Sequence, residues 1–105
     1  MGDGVVLPFD GPLGHVQAIK RIRKLLKEGC VTWSMHCQSQ LLRRGLGMQD
    51  VEHIINSGSV TANSHPGANW RYTVHGRLLD GRRAISIVEL RGSLAIIITA
   101  YRKAR

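Results

Sequence analysis

The sequence predicts an α+β domain, with N-terminal helices packed on a four-stranded antiparallel β-sheet. Three observations carry that prediction. Apolar residues recur at three- and four-residue steps only in the first half of the chain. After Gly58 the pattern changes to apolar–polar alternation broken by turn signals, the order expected of helices followed by a meander. Finally, residues 93–101, SLAIIITAY, form a short, β-branched run beside Gly92, which reads as a central strand buried on both faces. Alternation along this run sets Leu94, Ile96 and Ile98 on one face and Ala95, Ile97 and Thr99 on the other. At Thr99, Tyr101 and Arg102 hydroxyls and a guanidinium emerge from the apolar strand, and a site is expected near that end.

Residues 1–14 hold four glycines and two prolines and read as a flexible arm, leaving residues 15–105 as one domain. A helix over 15–27 carries Val16, Ile19, Ile22 and Leu26, with Leu25 beside them, on its apolar face. Lys20, Arg21, Arg23, Lys24 and Lys27 lie opposite, and Gly29 is the stop. Ser34 is a good N-cap for a second helix running to Gly45, with a broken apolar stripe of Met35, Cys37 or Gln38, Leu41 and Leu42. A third helix over 48–56 buries Val51, Ile54 and Ile55 and ends at Gly58. Residues 60–63 make a short edge strand. Trp70, Tyr72 and Val74 then alternate with Arg71, Thr73 and His75 in a half-buried strand. Asp80-Gly81 turns the chain into a strand over 83–90, and Arg91-Gly92-Ser93 turns it into the isoleucine strand.

Lysine and arginine outnumber aspartate and glutamate by 15 to 7 in 105 residues, a formal charge of +8. Such a field on a small domain points to polyanionic partners: RNA, DNA or an acidic protein. No stretch approaches the ~20 apolar residues of a membrane span, and no membrane role is expected. The N-terminus lacks the basic start and apolar run of a secretory signal, so a cytoplasmic protein is expected. Its two cysteines, Cys30 and Cys37, then read as free thiols. Together with His36 and His53 they match no zinc-binding spacing, and no metal or cofactor is expected.

The segment SMHCQSQLLRRGLGMQDVEHIINSG, followed by NWRYTVHGRLLDGRRAISIVEL and IIITAY, resembles a bacterial family known as domain of unknown function four-two-five-eight, over about residues 34–102. That family is similar in layout to the RelE/ParE-type toxins and to the wider group of barnase-, EndoU- and colicin-like ribonucleases. The resemblance therefore implies a RelE-like fold and a toxin-type, metal-independent ribonuclease acting on RNA, with an acidic antitoxin protein as partner. The positions that match the family pattern are His36, Arg44, Gly45, Tyr72, Thr99 and Tyr101. Two positions depart from it. Cys37 stands where alanine is usual, and Gln40 where a basic residue is frequent, a change that removes a phosphate contact.

The residue types suit that chemistry. Metal-free RNA cleavage needs a base for the 2′-hydroxyl proton, an acid for the leaving oxygen and fixed positive charge on the phosphate; imidazole, with a pKa near 6.5, can serve as base or acid. His36 is the candidate, and its competing role is to cap its helix or bond a carbonyl. Arg44 would hold phosphate through parallel hydrogen bonds, its competing role being to complete the helix dipole. Thr99 and Tyr101 would orient substrate or assist proton transfer. Candidate nucleic-acid contacts are Lys20, Arg21, Arg23, Lys24, Lys27, Arg43, Arg71, His75 and Arg102. Trp70 and Tyr72 share the core face of their strand and read as packing residues. The alternative is a non-enzymatic basic module that binds nucleic acid or a protein partner. Convergence of His36, Arg44 and Tyr101 on one phosphate-sized space separates the two.

Overall fold

In the computed structural model, which describes residues 11–104, the first helix, α1 (His15–Lys27), buries Ala18, Ile19, Ile22 and Leu25 along one stripe. Val16 leaves that stripe and is exposed. Most of the expected arm lies outside the described residues. Within its last part the Leu13 N–H donates to the Tyr72 hydroxyl at 2.9 Å.

A short strand absent from the sequence reading, β1 (Val31–Trp33), follows α1. Next come α2 (Met35–Arg43) and α3 (Met48–Ser57). The Ser34 Oγ accepts the Cys37 N–H at 3.0 Å, which is the expected N-cap, and Asp50 Oδ2 accepts the Gly47 N–H at the start of α3. The stripe of α2 differs from the expected one. Cys37 and Leu41 are buried, whereas Met35 and Leu42 are exposed, because the helix rests on the sheet through one narrow line of contact.

The remaining strands are β2 (Ser59–Ser64), β3 (Arg71–Arg77), β4 (Arg83–Arg91) and β5 (Leu94–Arg102), in the antiparallel meander that the turn signals predict. The sheet order is β1-β5-β4-β3-β2, with β1 parallel to β5. The described sheet is thus five-stranded and mixed rather than four-stranded and antiparallel. Three residues are too few to show a period in the sequence. β1 exists because β5 offers it a paired edge, with the Ala95 N–H donating to the Cys30 carbonyl at 2.9 Å.

α1 and α3 cover one face of the sheet and close a single core around Ile22, Ile54, Ile55, Tyr72, Val74, Val88, Ala95 and Ile97. α3 passes so near β3 that a Cβ on Gly76 would collide with the Ile54 carbonyl, so only glycine fits there. Arg23 belongs to this assembly. Its Nε donates to the Ile55 carbonyl at 3.0 Å and its Nη2 to the Gly58 carbonyl at 2.6 Å, closing the end of α3.

β5 is buried on one face rather than two: Ala95, Ile97 and Ala100 are buried, while Leu94, Ile96 and Ile98 are half-buried. The ladder shifts register at Ile98, since Ile97 pairs with Val88 and Thr99 with Ile87. This bulge reverses the expected phase. Ala100 turns to the core, and Thr99 and Tyr101 turn to the open face, the re-aiming that an inserted residue produces. Across that face the register sets Arg71, Glu89 and Ile96 in one row, Thr73, Ile87 and Thr99 in the next, and His75, Ile85 and Tyr101 in a third.

Candidate functional site at the corner of α2 and β5

β1 covers β5 only at residues 95–97, leaving the rest of that edge open. α2 fills the gap. Arg44, the residue that ends α2, reaches over the edge, and its Nη1 donates to the Ala100 carbonyl and to Thr99 Oγ1, both at 2.9 Å. Gly45, at φ 70°, lets the chain turn away immediately afterwards. The Thr99 hydroxyl donates to Gln40 Oε1 at 3.3 Å, and Gln40 Nε2 lies 3.0 Å from Nε2 of His36, one turn earlier on the helix. The Arg44 guanidinium also lies 6.0 Å from the centre of the Tyr101 ring. His36, Arg44 and Thr99 are therefore joined in one hydrogen-bonded chain, with Tyr101 beside it.

Two chemical properties follow. An amide nitrogen only donates, so His36 Nε2 accepts from Gln40, and the neutral imidazole carries its proton on Nδ1. Nε2 is then a lone-pair nitrogen held at the rim of the sheet. Arg44 commits both Nη1 protons to the protein and keeps Nε–H and Nη2 as one planar edge, the edge that binds phosphate in two parallel bonds. Gln40, read from the sequence as a lost phosphate contact, is the link between His36 and Thr99. Its i+4 spacing from His36 was the signal available.

The other expected contacts divide. Arg102 donates from Nη1 to the Arg44 carbonyl at 2.6 Å, so it caps α2. Arg71 Nε is paired with Glu89 Oε1 at 2.9 Å, and Arg91 Nη2 with Glu89 Oε2 at 2.6 Å. Glu89 is 5% exposed. Burial pushes its carboxyl pKa up, but the hydrogen bonds and charges of the two arginines more than offset this and hold it below the usual carboxylate range. Arg21 Nη2 reaches the Gly92 carbonyl at 3.5 Å, and Arg23 is committed to α3. Lys20, Lys24 and Lys27 are exposed on α1, turned away from the helix-covered face, and Arg43 is exposed on the last turn of α2. His75 is half-buried in the row of Ile85 and Tyr101. The α1 cations and the α2–β5 corner are thus not brought together.

Cys37 follows His36 but lies on the other side of the helix, buried beneath it. Burial pushes its thiol pKa up, and the charge of Arg44 offsets only part of this, so the group stays a protonated packing residue rather than a nucleophile. Among the described residues no three His, Cys, Asp or Glu side chains gather as a metal site would require. A further group of cations, not singled out from the sequence, gathers where β3 and β5 end and β4 begins: Arg77, Arg82, Arg83 and Lys103. Their signal was the GRLLDGRR stretch, which places arginines on both arms of one hairpin.

The sequence profile of the family described as Domain of unknown function (DUF4258) matches residues 33–102, and the chain belongs to that family. The match starts at the last residue of β1 and stops at the last residue of β5. It takes in the whole His36, Gln40, Thr99 and Arg44 chain and leaves α1 outside. No curated protein matches the chain.

Proposed function

We propose that this member of the family is a toxin-type, metal-independent ribonuclease that cuts RNA by acid–base phosphoryl transfer at the corner of α2 and β5. It acts in the cytoplasm and is held in check by an acidic antitoxin covering the basic rim. The RelE-like layout belongs to the same reading: helices on one face of a meander leave the other face open to a strand of RNA. The observation that carries it is the hydrogen-bonded chain from His36 through Gln40 and Thr99 to Arg44.

In this reading the scissile phosphate sits on the free edge of Arg44, beside Tyr101. The substrate 2′-hydroxyl takes the place of the Gln40 amide at His36 Nε2 and gives it its proton. The 2′-oxygen then attacks phosphorus, the bond to the 5′-oxygen breaks, and the departing oxygen takes a proton from the Tyr101 hydroxyl or from water. The products are a 2′,3′-cyclic phosphate and a 5′-hydroxyl. The arginine offsets charge developing on the phosphate oxygens, commonly the largest part of such catalysis. The Thr99 hydroxyl fixes Gln40 and Arg44 relative to each other.

The test is to incubate the purified protein with total RNA in excess EDTA, beside His36→Ala shown by circular dichroism to be folded. Fragments from the wild type that vanish with the variant are the expected result. Intact RNA in both samples, with the wild type still shifting it on a native gel, would replace catalysis by the binding module.

A further inference from the structure

Strand pairing places three cations side by side at one end of the open sheet face. Arg77 is the cross-strand partner of Arg83, and the Lys103 N–H donates to the Arg83 carbonyl at 3.0 Å, extending the ladder one residue beyond β5. By alternation they share the face of His75, Ile85 and Tyr101, one same-face step further along, about 6.6 Å. Like charges directly opposite each other destabilise a sheet, so such a row calls for a counter-charge. The hairpin supplies only Asp80, which lies 3.6 Å from Arg82. Arg77 Nη1 donates to the Gly81 carbonyl at 2.9 Å, and among the described residues no carboxylate pairs with Arg83 or Lys103. All three cations are exposed. Two open depressions at the end of the sheet are lined in part by all three: one of about 910 Å³, with Arg82 and Arg102 also in its wall, and one of about 280 Å³ that also takes in His75 and, from the helix-covered side, Ser57, Gly76 and Ala84.

We infer that Arg77, Arg83 and Lys103 form a second phosphate subsite, which grips the RNA strand next to the scissile bond. This inference rests on the ribonuclease reading and assigns its substrate as single-stranded RNA lying along the open face. The row repeats the positive charge of Arg44 with one internal side-chain bond, from Arg77 to the Gly81 carbonyl, and the step from Tyr101 to Lys103 is the size of one nucleotide in an extended strand. A polyanion with phosphates at that repeat neutralises the row and spans both places. Because the row carries charge but no lone-pair nitrogen at its centre, it contributes to binding and not to bond cleavage.

The test is fluorescence anisotropy with a short labelled 2′-O-methyl oligoribonucleotide, which cannot be cut, over a series of KCl concentrations. The Arg83→Ala/Lys103→Ala double variant is expected to bind more weakly at low salt. The slope of log K against log salt should become shallower by about 1.4, or about 0.7 per cation removed. Arg83→Lys/Lys103→Arg, which keeps both charges, should keep the wild-type slope. Both variants are checked for folding by urea unfolding. An unchanged slope in the alanine variant overturns the subsite, and does so while leaving the ribonuclease reading intact if the wild type still cuts total RNA in EDTA. A shallower slope with no cutting by the wild type sustains the phosphate site and removes the ribonuclease reading.

Discussion

At one end of the open sheet face Arg71 and Arg91 close on Glu89; at the other, Arg77, Arg83 and Lys103 stand in a row with no paired carboxylate among the described residues. The residue types are nearly the same and the circumstances are opposite. The first group is part of the fold, with its charge used to hold a buried acid. The second holds no carboxylate among the described residues, and Arg77 alone of the three reaches a carbonyl through its side chain, that of Gly81. A formal charge of +8 is therefore not one field. Arg23, Arg71, Arg77, Arg91 and Arg102 serve carbonyls or a carboxylate, whereas Arg83, Lys103 and the α1 lysines make no ion pair among the described residues. Arg44 stands between the two conditions, with one nitrogen inside the protein and one edge outside.

That contrast is broken most forcefully by exchanging a committed arginine for alanine. Arg44→Ala leaves the Ala100 carbonyl and the Thr99 hydroxyl without their donor and should cost about 2–3 kcal/mol in urea unfolding. Arg83→Ala should stay within about 0.5 kcal/mol of the wild type. Equal losses would mean that the row is as built-in as the corner.

A smaller effect is expected at Glu89. Glu89→Gln removes the charge between two arginines whose side chains are 34% and 60% exposed, so solvent screening limits the cost to about 1–2 kcal/mol. The sign with pH is fixed by the depressed carboxyl. Its contribution is complete above the unfolded pKa, about 4.3, and is lost as pH falls through the lower folded value. Urea midpoints followed into acid should fall more steeply for the wild type than for Glu89→Gln; parallel curves would remove the ion pair from the account.

The least perturbing comparison is between the two thiols. In the folded protein an alkylating reagent near pH 8 should modify half-buried Cys30 first, with buried Cys37 reacting only as the chain unfolds. Fast modification of Cys37 would contradict its burial under α2.

Much of the helical half was legible because each helix carries a local mark, either a stripe or a cap: Ile19 and Ile22 in α1, Ser34 before α2, Ile54 and Ile55 in α3. The meander was legible from Asp80-Gly81 and Gly92. What escaped depends on residues far apart. β1 takes its existence from β5. The bulge at Ile98 is a property of the pairing with β4, and it sends Thr99 to the face opposite the expected one. At the corner, His36, Arg44, Thr99 and Tyr101 were each singled out in the sequence, but Arg44 and Thr99 are 55 residues apart and no local period announces their contact. The same holds for the surface cations. Arg23 and Arg102 look free in a sequence, and only the fold shows which carbonyls they close.

The division of labour between corner and row is tested most directly by steady-state cleavage of one defined oligoribonucleotide. His36→Gln should lower kcat by about 10²–10⁴-fold with the affinity for the uncut 2′-O-methyl strand unchanged. Arg83→Ala/Lys103→Ala should raise KM and leave kcat at saturation where it was, the mark of lost uniform binding. A His36→Gln protein that cuts at the wild-type rate, or a wild type that does not cut at all, would contradict the account at its centre.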